Sequence, residues 1–220
     1  CDWSSDVCSS DLNSRVTGLL SRCFPDAIII DDVCESHGCT YNNGEKVGSN
    51  SVGATFSTYF GHHLTSIEGG FVSTNNGFLY DLMRMKRSHG LARESNRFEQ
   101  YAKMYPDIDK QFLFVTGGYN FRNTELNAVL GLSQLNKLNK SIYTRNKNFK
   151  LFCKLIGNNS LFYPIQYKET VSNFCFPFIC KTKEIKQRLT RLFEENGIEY
   201  RPIVSGNLLR HPFLKGYEIT

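Results

Sequence analysis

Ala27-Ile28-Ile29-Ile30-Asp31-Asp32-Val33-Cys34-Glu35-Ser36-His37-Gly38 is the stretch on which the fold turns. The apolar run over 27–30 is short, continuous and β-branched. That pattern reads as a buried strand of a parallel sheet. Two carboxylates close it, at the C-terminal edge where open α/β sheets bind their ligands.

Working outward, 53–60 is a second strand rich in Thr and aromatics, 61–66 a loop, 68–70 a turn and 71–74 a short strand. Asn76 is placed to cap a helix running through Ser88, with Leu79, Leu82, Met83 and Lys86 on one face and Gly90 as its stop. Residues 91–116 have no clear period and read as a long loop. Thr124 opens the strongest helical pattern, in which Leu126, Val129, Leu130, Leu135 and Leu138 keep one face and the pattern extends toward Ile156. Such a helix would connect a large domain to a small one. Beyond it the spacing predicts a strand over 172–180, an amphipathic helix over 182–195 stopped by Gly197, and a strand over 198–203. That β-α-β run suggests a smaller α/β domain. Upstream, 13–23 reads as a short helix with Val16, Leu19 and Leu20 on one face.

With 220 residues, 40% of them hydrophobic, the chain can bury a real core. Its net charge of +5 is spread along the sequence without a Lys/Arg block, which argues against a nucleic-acid partner. No apolar run approaches the about 20 residues a membrane span needs. No secretory pattern is seen, so the chain reads as soluble and cytoplasmic. The eight cysteines form no CxxC or CxC pair and are expected to be reduced.

Four local motifs carry the chemistry. They are Asp31-Asp32-Val33-Cys34-Glu35-Ser36-His37-Gly38, then Phe56-Ser57-Thr58-Tyr59-Phe60-Gly61-His62-His63 ahead of Glu68-Gly69-Gly70, then Arg87-Ser88-His89-Gly90, then Gly117-Gly118-Tyr119-Asn120-Phe121-Arg122-Asn123-Thr124-Glu125. In order and spacing they resemble the sugar aminotransferase family of fold-type I PLP enzymes. The resemblance implies an α/β, aspartate aminotransferase-like fold, with an incomplete large domain over 13–140 and part of a small α/β domain over 141–220. It also implies a pyridoxal 5'-phosphate or pyridoxamine 5'-phosphate (PMP) cofactor and a homodimer with shared active sites.

One departure bears on function. Six residues before the Glu of EGG, where the family keeps lysine, this sequence has His62. A side chain without a primary amine forms no Schiff base with an aldehyde cofactor, yet it still serves as a base near neutral pH. The swap resembles one branch of the family, the 4-keto-6-deoxy-sugar 3-dehydratases, which carry PMP and use the histidine as base. The 61–70 stretch and the tail over 197–207 are most similar to the GDP-sugar member of that branch. A second member holds an iron–sulfur cluster through a Cys-x-Cys pair. This sequence has none, which favours glutamate as the regenerating amine donor.

Further roles follow from the resemblance. Asp32 would pair with the pyridine nitrogen and keep the ring an electron sink. Glu35 sits where the family usually has Gln, near the ring. Ser57 would bind the cofactor phosphate, and Asn120 would reach the phosphate of the opposite subunit. His89, Arg122 and Arg201 are candidate contacts for substrate or glutamate. His63 is the rival base if the loop lies one residue out of register. Two other readings stay open: an aminotransferase, which needs the missing lysine, and a non-catalytic relative. A metal site from His37, His62, His63 and Asp32 fits no standard zinc spacing.

Residues 1–12 have no apolar period, and one choice of codons for them reproduces a widely used sequencing-adapter oligonucleotide. They are read as foreign to the fold. The remainder is expected to be an internal piece of a longer enzyme, whose phosphate-binding loop and ring-stacking aromatic would lie upstream.

Overall fold

The computed structural model describes residues 22–165, 168–202 and 210–216. The foreign-looking 1–12 stretch, most of the helix expected over 13–23 and the tail over 203–209 lie outside them. Three strands form one sheet in the order β1-β2-β3, with β1 Ile30–Asp32, β2 Gly53–Ser57 and β3 Gly70–Ser73. β2 pairs parallel with β1, Asp32 opposite Thr55, and antiparallel with β3, Ser57 opposite Gly70.

The parallel pairing expected from 27–30 is present, but its burial is not. Ile28 and Ile30 are exposed, because β1 is an edge strand of the described sheet. Burial falls on the other side of β2 instead. Val33, Cys39, Tyr41, Val47 and Ala54 form the core cluster, with Phe56 packed against it. Side chains alternate along a strand, so Ala54 and Phe56 enter this core while Thr55 and Ser57 share the opposite face with Asp32.

Helix α1, Gly77–Arg87, starts at Asn76, whose side chain accepts a hydrogen bond from Leu79 N. It stops at Gly90, where φ is +86° and the amide returns to Met85 O. A Cβ there would lie 1.7 Å from Thr116 O, so only glycine lets the 117–121 segment of the fourth motif cross this close. That crossing is hydrogen-bonded from His89 N to Tyr119 O and from Phe121 N to Arg87 O.

The 91–116 segment is not the irregular loop expected. It holds 3-10 turns at Ala92–Glu94 and Lys110–Phe112 and a short helix α2, Phe98–Met104. None of the α2 residues is buried, so the helix had no apolar face to reveal in the sequence. Its start is fixed instead by the buried Asp81, whose carboxylate accepts from Ser95 Oγ and Asn96 N.

Helix α3, Glu125–Ile156, opens with a reciprocal capping box between Thr124 and Asn127. Helix α4, Lys183–Glu195, is capped by Thr182. The strand expected over 172–180 is absent: one antiparallel bridge joins Phe162 to Cys180, and the rest of the segment pairs with no strand. Its polar groups meet side chains of α3 instead. Arg145 Nη1 donates to Phe174 O at 3.0 Å, Asn146 Nδ2 to Val171 O at 2.6 Å, and Asn146 Oδ1 accepts from Asn173 N at 2.9 Å. The strand expected over 198–203 is also unformed as far as residue 202. The six cysteines among the described residues are free.

Candidate active site

The site forms on the open face of β1 and β2, past their C-terminal ends. Asp32 Oδ1 accepts from Cys34 N at 3.1 Å and Thr55 Oγ1 at 3.3 Å. Oδ2 takes no hydrogen bond among the described residues. Its neighbour Asp31 is engaged elsewhere, accepting from Tyr41 Oη at 3.1 Å. Ser57 Oγ accepts from Tyr59 N at 3.2 Å, which leaves its own hydrogen to donate.

The loop over 58–66 is closed by its own bonds. Thr58 N donates to Gly69 O, Ser66 N to Thr58 O, and the Thr58 and Ser66 hydroxyls meet at 2.6 Å. Gly69 sits at φ +143°, and a Cβ there would press on both hydroxyls. Ile67, a β-branched residue at φ +75°, completes the tight turn and is held by Thr65 Oγ1. Asn127 of α3 donates to both Ser66 O and Glu68 O, tying this turn to the long helix.

Within the loop, adjacent histidines diverge. His63 is buried, and its Nε2 lies 3.1 Å from Asn173 O. A carbonyl only accepts, so that nitrogen carries the proton. Burial, with the Arg145 cation second, pushes the His63 pKa down to about 4. His62 turns the other way. Its Nε2 lies 4.0 Å from Glu35 Oε1, with side-chain exposures of 14% and 15%. Burial lowers the His62 pKa, the Arg201 cation adds to this, and the Asp32 carboxylate opposes it. Its Nδ1 is buried without a partner among the described residues. Arg201 closes the group, its Nη2 3.4 Å from Glu35 Oε1 and its guanidinium 5.9 Å from the Phe174 ring.

Asp32, Glu35, Ser57, His62 and Arg201 therefore lie around one edge of the sheet. Asn120, His89 and Arg122 form a second, exposed group where residues 117–121 cross the end of α1. There Arg122 Nε donates to Asn120 Oδ1 at 3.2 Å, and His89 holds a left-handed φ of +62°. Among the described residues no ion pair or hydrogen bond joins the two groups.

Three participants were not foreseen. Phe174 packs edge-on to His62 at 5.4 Å and near His63. Arg145 projects its charge onto both histidines. His37 is buried among Phe56, Phe71 and His63 with neither ring nitrogen partnered. His37 stood inside a quoted motif. Phe174 and Arg145 gave no local signal, since their proximity is purely tertiary.

The donor set fits a pyridoxal-type cofactor. A ring N–H needs a carboxylate with an available oxygen, and Asp32 offers Oδ2. A phosphate needs donors, and Ser57 has an uncommitted hydroxyl hydrogen. Among the described residues no group of three His, Cys, Asp or Glu is placed to hold a metal ion, and no helix is long and apolar enough to cross a membrane.

Residues 25–218 match the model of the DegT/DnrJ/EryC1/StrS aminotransferase family. The chain is 35% identical over 202 residues to GDP-4-keto-6-deoxy-D-mannose 3-dehydratase of Yersinia pseudotuberculosis, covering 89% of this chain and 51% of that protein. The structure of a mutant GDP-4-keto-6-deoxymannose-3-dehydratase with bound GDP-perosamine superposes with a TM-score of 0.81 at 30% identity, over 93% of this chain and 54% of that one. A second structure of that dehydratase, with a trapped PLP-glutamate geminal diamine, superposes with a TM-score of 0.77 at 29% identity, over 91% and 52%. The chain thus spans about half the length of the relatives it matches, and the architecture expected from its motifs is the one they adopt.

Proposed function

Because the chain belongs to the DegT/DnrJ/EryC1/StrS aminotransferase family, we propose that the whole protein is a cytoplasmic PMP-dependent 3-dehydratase of a nucleotide-linked 4-keto-6-deoxy sugar, with GDP-4-keto-6-deoxymannose as substrate and glutamate regenerating the cofactor. Residues 13–140 then belong to its large domain and 141–220 to its small one. The observation that carries the reading is the state of the two histidines. His62 occupies the lysine position and faces Glu35 and Arg201, whereas His63 is spent on Asn173 O.

When bound, PMP supplies an amine to engage the sugar's C4 ketone and a ring that accepts electrons while the C3 hydroxyl leaves. The chain's residues do the rest. Asp32 Oδ2 accepts the ring N–H and keeps it protonated. The Ser57 hydroxyl donates to the phosphate, joined by Asn120 from the opposite subunit of a homodimer. His62, neutral at pH 7 because burial lowers its pKa, takes and returns a proton at Nε2. Phe174 walls the imidazole on one side and helps keep water from it. Arg201, largely exposed, is available to a ligand anion, and His89 and Arg122 face the partner's substrate.

The test is product analysis with the full-length protein, PMP, glutamate and GDP-4-keto-6-deoxymannose. A C3-deoxygenated keto sugar is expected. An amino sugar, or a lysine labelled by borohydride reduction of the enzyme, would overturn the reading in favour of an aminotransferase. Substrate binding without any product would favour a non-catalytic relative.

A further inference from the structure

Glu35 stands between His62 and Arg201. Its Oε1 lies 4.0 Å from His62 Nε2 and 3.4 Å from Arg201 Nη2. A carboxylate beside a base that must stay neutral to work sets up a conflict, because a nearby negative charge holds a proton on imidazole. Arg201 resolves the conflict. It neutralises Glu35 from the solvent side, and at 66% side-chain exposure it can turn outward.

We propose that Glu35 is a positioning residue shared between His62 and Arg201, and that an anionic ligand group which draws Arg201 away hands the Glu35 carboxylate to the imidazole. The anion is a carboxylate or a diphosphate. The other charged or titratable groups facing His62 are Asp32 on β1, Arg145 on α3 and His37 after β1. The Arg201 charge also acts on His62 directly, and Glu35, 4.0 Å from His62 Nε2 and 3.4 Å from Arg201 Nη2, adds a second path between them. The consequence is ligand-timed proton affinity. With Arg201 on Glu35, His62 stays neutral and ready to accept a proton. With Arg201 on the ligand, the imidazolium is stabilised, which strengthens His62 as a base while the ligand is bound.

This inference rests on His62 being the base, but its test does not require turnover. Full-length holoprotein labelled with 15N-histidine is titrated by NMR, with the His62 signal assigned by its loss in His62→Asn. Arg201→Gln is expected to raise the His62 midpoint by roughly one pH unit, the scale for a charge within 4–6 Å. Glu35→Gln is expected to lower it and to reduce the effect of Arg201→Gln in the double variant to the direct influence of the guanidinium charge. Glu35→Gln preserves shape, and a merely structural role would shift the melting temperature without moving the midpoint. L-glutamate and GDP serve as separate probes of the anion. The one that raises the midpoint more in the natural protein than in Glu35→Gln is the group Arg201 takes. Equal midpoints in all variants, or no response to either probe, overturns the proposal and leaves the dehydratase reading standing. Correct midpoints with no deoxygenated product would sink that reading and leave this coupling intact.

Discussion

The β1–β2 face and the 117–132 stretch are both rich in apolar residues, and they end in opposite states. Val33, Cys39, Tyr41, Val47 and Ala54 are closed within the chain. Tyr119, Phe121 and Leu126 stand 61%, 71% and 77% exposed, with the first two rings stacked at 4.8 Å. The difference separates two kinds of site residue. Asp32, Ser57 and His62 stand on a scaffold backed by that closed core, with β1 its exposed edge. Asn120, His89 and Arg122 stand on one whose apolar side is uncovered in the isolated chain, as a shared site in a homodimer would require.

The sharpest way to break this comparison is to separate the paired histidines. His62→Asn in the full-length enzyme is expected to lower kcat by about 10²–10⁴-fold with the melting temperature unchanged. An equal loss of activity in His63→Gln would erase the distinction between them. The next test is pH. The unfolded chain protonates His63 near 6.5, while the folded chain resists until about 4. Stability is therefore full above about pH 6.5 and declines as pH falls toward 4, by about 3 kcal/mol from this residue. His37 acts in the same direction. Urea unfolding at pH 7 and pH 5 measures the decline, and His63→Gln should flatten it.

Gly90→Ala tests the uncovered region at its one rigid crossing. The strained φ and the clash with Thr116 O should cost about 2 kcal/mol, read as a lower denaturant midpoint. The smallest effect is expected from Tyr119→Ser with Phe121→Ser, no more than about 0.5 kcal/mol in protomer unfolding. Sedimentation of the full-length protein should move toward monomer. A large loss of protomer stability would show that this face packs within its own chain.

What the sequence made legible was local. The Asn76 and Thr124 caps, the Gly90 stop and the helix to Ile156 each follow from side chains that bond their own backbone or repeat along one face. Strands were read from composition, and composition does not supply a partner. The 172–180 segment has strand-like residues, but α3 side chains take its polar groups, so no ladder forms. Helix α2 escaped notice because nothing in it is buried. The site followed the same division. His62 stood out by its spacing to Glu68, whereas Arg145 meets it through the path of α3 and Phe174 through the segment docked on that helix. The Glu35–Arg201 pair spans 166 positions, beyond the reach of any local pattern.

One side chain, Asn127, fastens the first turn of α3 to both Ser66 O and Glu68 O. The helix behind it has 32 residues, a rod about 48 Å long. The rod is pinned a second time about 30 Å along, where Arg145 and Asn146 hold residues 171–174. One stiff strut thus sets the spacing between the loop that carries His62 and the segment that carries Phe174, and only the tip beyond the second pin can swing without disturbing the imidazole.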